Sequence, residues 1–157
     1  METNELDFTR IVREYKGTIY TVCYMFSKDE DEVNDLFQEV LINLWKGFPK
    51  FREECSVNTW IYRVSLNTCI SIGRKKKRMG EKVELSMTTN LFEDNDNDAQ
   101  QIRQLYDRIH KLGPIDRAIV LLWLDNVNYE EIGKIVGIST KNVSVKLFRI
   151  KEKLKGM

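Results

Sequence analysis

A chain of 157 residues has room for one domain or two small ones. Its 25 Lys and Arg against 24 Asp and Glu give a net charge of +1, which excludes a generic polycation that coats nucleic acid along its whole length. Three cysteines without ligand spacing point to reduced thiols and exclude a disulfide framework or a zinc site, and no apolar run reaches the ~20 residues of a membrane span.

The charge is nevertheless segregated. RKKKR at 74–78 is a solid basic block and the C-terminal helix is strongly basic, whereas 29–35 and 93–98 are acidic. Such polarity suits separate partners on separate surfaces, nucleic acid on one and a basic protein surface on the other. The opening METNELDFTR is polar and is not a signal peptide.

In chain order, Leu6 to Ser27 reads as a first helix. Phe8, Ile11, Val12, Tyr15, Ile19, Val22 and Phe26 fall on one apolar stripe. KDEDE at 28–32 is a polar turn and an acidic start, favoured by the helix dipole. A second helix runs from about Asp31 to Lys46, with Val33, Leu36, Phe37, Val40, Leu41, Leu44 and Trp45 as its buried face. Asp35, Gln38, Glu39 and Ile42 gather on its other side. Gly47 and Pro49 end it.

After a loop at 48–55, Ser56 caps a third helix to about Lys77. Val57, Trp60, Ile61, Val64 and Ile72 face inward; Trp60 reads as core, with a stacking role for Trp60 or Tyr62 as the alternative. Arg63, Asn67, Ser71, Arg74 and Arg78 line up on one polar stripe. These three helices form a bundle over residues 1–79. Residues 80–98, with FEDNDND, read as a flexible acidic linker.

The second domain, 99–157, begins with a helix marked by Ile102, Leu105, Tyr106, Ile109 and Leu112. His110 is a surface residue of it. Gly113-Pro114 breaks the chain and starts the next helix, with Ile115, Ala118, Ile119, Leu122 and Trp123 inward. Asn128 caps a short helix carrying Ile132, Ile135 and Val136. Gly137 stops it, Ile138 packs inward, and Ser139 caps a last helix in which Val143, Leu147, Ile150 and Leu154 recur at spacings of four, three and four. The other faces of this helix carry Lys141, Ser144, Val145, Lys146, Phe148, Arg149 and Lys151. A capped helix, a glycine turn and a basic amphipathic helix make a helix-turn-helix whose second helix suits the major groove. The fold class is therefore all-α, with a three-helix and a four-helix domain. No phosphate loop, nucleophile–base set, catalytic carboxylate pair or metal cluster is evident, so the expectation is a non-enzyme without a cofactor or small-molecule substrate.

These motifs together resemble the extracytoplasmic-function sigma factors of the bacterial sigma-70 family. DEVNDLFQEVLINLW at 31–45 and NTWIYRVSLNTCISIGRKKKR at 58–78 resemble region 2, and residues 112–154 resemble region 4. The order Asp35, Gln38, Glu39, then Trp60, Tyr62, Arg63, Asn67, then the helix-turn-helix is similar to the family's. The chain departs from it in Leu112-Gly113-Pro114, where Leu-Pro is usual, and in Ser144 and Val145, where a basic residue and serine are common.

The resemblance implies a cytoplasmic protein that binds core RNA polymerase, through its β′ and β subunits, and promoter DNA, with an anti-sigma factor as a further partner. It implies polymerase contacts from Asp35, Gln38, Glu39 and Ile42. It implies −10 contacts from Phe51, Ser56, Tyr62, Arg63, Asn67, Arg74, Lys75 and Arg78, the loop at 51–57 holding an extruded base. It implies −35 contacts from Arg117, Lys141, Ser144, Val145, Lys146, Phe148 and Arg149; for Arg117 a surface ion pair is the alternative. The linker would thread towards the polymerase active centre. Two rivals stay open: a stand-alone helix-turn-helix regulator using only residues 98–157, and a helical adaptor that binds no DNA.

Overall fold

The structure, a computed structural model, describes residues 2–51, 55–78 and 97–156. Among these it contains seven α-helices and no strand: α1 (Glu2–Phe26), α2 (Glu30–Gly47), α3 (Val57–Arg78), α4 (Asn97–His110), α5 (Pro114–Leu124), α6 (Tyr129–Val136) and α7 (Thr140–Lys155). A single 3-10 turn, Phe48–Lys50, follows α2. The chain divides into two compact units, Met1–Ser86 and Met87–Met157. The expected linker at 80–98 lies outside the described residues up to 96, and so do 52–54 of the expected base-holding loop; residues 97 and 98 belong to α4.

In the first unit each of α1, α2 and α3 packs on the other two. Asp29 starts α2 by accepting from the Asp31 amide at 3.1 Å, and Glu30, Asp31 and Glu32 complete an acidic first turn. Ser56 starts α3 by accepting from the Thr59 amide at 3.1 Å. Such a cap is worth ~1 kcal/mol. The core is Ile19, Val22, Cys23 and Met25 from α1, Val33, Leu36, Phe37, Val40 and Leu44 from α2, and Trp60, Ile61, Leu66, Cys69 and Ile70 from α3. Tyr20 stacks on Phe37 at 4.1 Å, and Phe8 meets Trp45 edge-on at 5.0 Å.

Two expectations change here. Trp45 is not buried: it lies one residue past Leu44, about 100° round the helix, and 46% of it is exposed beside Phe8. Tyr62 is not a surface platform for bases. Only 3% of it is exposed, because α3 is wedged between α1 and α2 and buries Trp60, Ile61 and Tyr62 in succession.

In the second unit α5 is the centre. Pro114 occupies its first turn, and Ala118 to Leu122 are five successive buried residues, possible because α4, α6 and α7 all pack on it. Full burial of each such aliphatic side chain contributes ~1.5–3 kcal/mol. His110 is half-buried, with Nδ1 2.7 Å from the Tyr106 carbonyl.

Candidate functional site

The helix-turn-helix is built by backbone geometry at four residues. Asn128 Oδ1 accepts from the Glu131 amide at 2.8 Å and starts α6. Gly137 ends it at φ 82°, a left-handed conformation that favours glycine. Its amide and that of Ile138 both donate to the Gly133 carbonyl, at 2.8 and 3.0 Å. Gly133 has no room for a side chain, since a Cβ would lie 2.6 Å from the Ile138 carbonyl oxygen. Ser139 Oγ then accepts from the Asn142 amide at 3.1 Å and starts α7.

Val143, Leu147 and Ile150 anchor α7 and leave its opposite side to solvent. Lys141, Ser144, Val145, Phe148 and Arg149 are exposed and, at successive steps of three, one, three and one, lie on one face. Phe148 is 68% exposed, an unusual position for a phenyl ring unless something covers it. Lys146 differs: its Nζ lies 3.8 Å from Asp116 at the start of α5. Lys151 lies 4.3 Å over the Trp123 ring, a cation–π contact.

Arg117 is the clearest departure on this unit. Its Nε donates to the Leu112 carbonyl at 2.8 Å, satisfying the turn between α4 and α5, and burial lowers its pKa. Through Nε it holds the backbone of the turn.

On the first unit, Asp35, Gln38, Glu39 and Ile42 are all exposed on α2, and their spacing of three, one and three places them together. Ile42 is 45% exposed, an apolar point within a carboxylate rim. On α3, Asn67, Ser71, Arg74 and Arg78 are exposed along one stripe, with Arg63 half-buried at its start. Lys75 is exposed beside them. Phe51 does not stand alone: it stacks on Trp60 at 4.8 Å. Ser56 spends its oxygen on capping α3 and its hydroxyl proton on Thr59 Oγ1, 3.0 Å away.

The helix faces meet in a groove that sequence reasoning did not find, because it needs α2 and α3 side by side. One cavity of about 350 Å³ is lined by Glu39, Asn43, Val64, Asn67, Thr68, Ser71 and Ile72. A second, of about 380 Å³, is lined by Glu32, Asp35, Leu36, Glu39, Ile72, Lys75 and Lys76. Lys76 Nζ is bonded there to Glu32 at 3.1 Å. Among the described residues no group of three His, Cys, Asp or Glu is placed to hold a metal, and no helix is long and apolar enough to cross a membrane.

Comparison with known proteins follows the same two-part division. The family model for sigma-70 region 2 matches residues 11–79, and that for sigma-70 region 4 matches residues 102–154. The ECF RNA polymerase sigma factor SigW of Bacillus subtilis is 28% identical over 94% of this chain and 87% of its own length. The ECF RNA polymerase sigma-E factor of Escherichia coli is 26% identical over 92% of this chain and 83% of its own. Among solved structures, the sigma factor RpoE of Bartonella quintana, in complex with the anti-sigma factor NepR, superposes with a TM-score of 0.77 at 16% identity, covering 96% of this chain and 95% of that one.

Proposed function

The chain belongs to the sigma-70 family, in its extracytoplasmic-function group, and from that premise we propose a division of labour among its surfaces. As a sigma factor it binds core RNA polymerase and directs transcription from promoter DNA; such proteins are regulatory, and anti-sigma factors are their partners. The observation that carries this is the presence of both sigma regions in one chain, each within a separate compact unit. A stand-alone regulator needs only the second, so the region 2 match argues against it.

Residues 1–79 would serve core binding and the −10 element, 80–98 would link, and 99–157 would serve the −35 element. Asp35, Gln38, Glu39 and Ile42 offer the polymerase a rigid carboxylate-rimmed face with one apolar contact, the kind of surface that suits a basic partner. Asn67, Arg74, Lys75 and Arg78 suit the −10 strand, amide to base edge and cations to phosphate. Arg63 sits on the same stripe. Lys141, Ser144, Val145, Phe148 and Arg149 form the face offered to the −35 groove, where Phe148 suits a thymine methyl or a sugar. The work would be done in the cytoplasm with the polymerase.

The test is run-off transcription by core polymerase on a library of genomic promoter fragments. The chain should select a discrete promoter set, and Asp35→Lys with Ile42→Ala should abolish it by losing core association in a pull-down. No transcription with wild-type chain, or full core binding by the double variant, would sink the assignment of that face.

A further inference from the structure

We propose that Asp116 is a positioning residue for the duplex-binding face of α7: it draws Lys146 to the side of α5 and keeps it off DNA phosphate, which holds the second unit's affinity for duplex low. The inference rests on the −35 reading of α7 and adds to it a residue of α5 that acts without touching DNA.

Lys146 stands on a boundary. It lies one residue before the buried Leu147, about 100° round the helix from it, and three residues after the buried Val143. Its aliphatic stem therefore runs along the margin between the packed side of α7 and the face that carries Lys141, Val145, Phe148 and Arg149. From that margin the ammonium can turn to either side. In the structure it turns to α5, with Nζ 3.8 Å from Asp116 Oδ1.

Asp116 is placed for this by its own helix. It lies in the first turn of α5, two residues after Pro114, where the helix dipole favours a carboxylate. α5 and α7 pack on each other, so this turn lies beside the margin of α7. The pair is held without being locked. Its 3.8 Å is longer than the roughly 2.7–2.9 Å of a charge-assisted hydrogen bond, and 42% of Lys146 and 23% of Asp116 are exposed. Lys146 is thus a cation within reach of exchange, for which a carboxylate and a phosphate compete.

Other cations of α7 are engaged within the unit as well. Lys151 lies 4.3 Å over the Trp123 ring of α5, and Lys155 lies 3.8 Å from Glu152. The charge that α7 offers to DNA is therefore smaller than its composition suggests. A cation that meets phosphate adds affinity for every sequence alike. Withholding one lowers binding to all DNA and leaves discrimination to the side chains on the exposed face. A second unit that binds weakly by itself makes promoter occupancy depend on both units engaging together, since linkage then raises the effective concentration of the second contact.

The experiment measures binding of the full chain to two labelled duplexes of different sequence, by fluorescence anisotropy across a salt series. Wild type, Asp116→Asn, Asp116→Glu, Lys146→Gln and the double variant of Asp116→Asn with Lys146→Gln are compared. Asp116→Asn should bind both duplexes about five- to eight-fold more tightly at ~0.1 M salt, with a slope steeper by about 0.9, the mark of one further phosphate. Asp116→Glu keeps the carboxylate and should keep the wild-type slope. In the Lys146→Gln background, Asp116→Asn should leave the slope where it was. A slope that Asp116→Asn does not change would overturn the proposal, because Lys146 would then stay off DNA without Asp116. An equal gain in the Lys146→Gln background would also overturn it, because the carboxylate would then act by repelling phosphate directly. A wild-type slope unaltered by Lys141→Ala with Arg149→Ala would instead overturn the −35 reading on which it rests.

Discussion

Lys76 of α3 is bonded to Glu32 of α2 at 3.1 Å, so a cation of the basic block is held by a carboxylate of the acidic helix. Both side chains are partly exposed, at 33% and 21%, so the pair contributes well under the strength of a buried bridge, ~0.2–1 kcal/mol. Its larger effect is on binding, since Lys76 must leave Glu32 to neutralise a phosphate. Glu32→Gln should therefore raise affinity for single-stranded DNA two- to five-fold at low salt and steepen the salt dependence by about one phosphate. Fluorescence anisotropy across a salt series checks this; an unchanged slope would show that Lys76 stays off the DNA.

The tight turn between α6 and α7 gives a second prediction. A Cβ on Gly133 would meet backbone rather than a flexible side chain, 2.6 Å from the Ile138 oxygen. Gly133→Ala should cost ~1–3 kcal/mol, as overpacking does, and lower Tm measurably. Gly137→Ala meets no atom but must hold φ 82°, costing ~1–2 kcal/mol. The two differ in consequence: the first displaces α7 and should weaken −35 duplex binding even in the folded state. Circular dichroism paired with duplex titration separates the two effects, and equal DNA binding by folded Gly133→Ala would contradict it.

Arg149 and Phe148 are neighbours on the exposed face of α7 and should fail differently. Arg149→Ala should weaken DNA binding about equally for all sequences and reduce the salt slope by about one. Phe148→Ala should leave the slope alone and change base preference near −35. A sequence-selective loss from Arg149→Ala with an unchanged slope would reverse the assignment.

The cysteines make a chemical prediction. Cys23 and Cys69 are buried against each other in the first unit, while Cys55 is partly exposed. A hydrogen bond with Cys23, reinforced by burial, pushes the Cys69 thiol well above its ordinary value. At pH 8 a thiol reagent should titrate one cysteine quickly, Cys55, and the other two only on unfolding. The folded state holds Cys69 protonated where the unfolded chain ionises, so this contribution to stability is intact below the ordinary thiol pKa of ~8.5 and falls as pH rises through and above it. Chemical denaturation at pH 7, 8.5 and 10 checks the sign, with Cys69→Ala as the control that loses the trend. Rapid modification of all three thiols in the native protein would contradict the packing.

Much of this is legible in the sequence because it is local. Asn128, Gly137 and Ser139 act through backbone groups within four residues of themselves, so the helix-turn-helix could be read from spacing alone. The same holds for the stripe Val143, Leu147, Ile150, and for the exposure of Asp35, Gln38 and Glu39 opposite the α2 core.

Whatever depended on a neighbour was not legible. Tyr62 looked available because it is aromatic and lies off the apolar stripe, yet α3 has helices on two sides and a single stripe no longer marks what is buried. Arg117 looked like a surface cation after a helix start, but the turn at Leu112 bends an unsatisfied carbonyl into its reach. Lys146 and Lys151 carried no sign of Asp116 or Trp123, which come from α5.

By itself, then, the sequence determined the helices, their caps and the order of the two sigma regions, since capping and amphipathicity are settled within a few turns of one helix. Only the tertiary structure decided which cations are engaged, which aromatics are buried, and that Asn43 and Asn67 share a cavity with Glu39. That cavity depends on the edges of two helices, Asn43 and Asn67 being 24 residues apart in sequence, brought together because burying the apolar faces of α1, α2 and α3 leaves polar edges of α2 and α3 side by side.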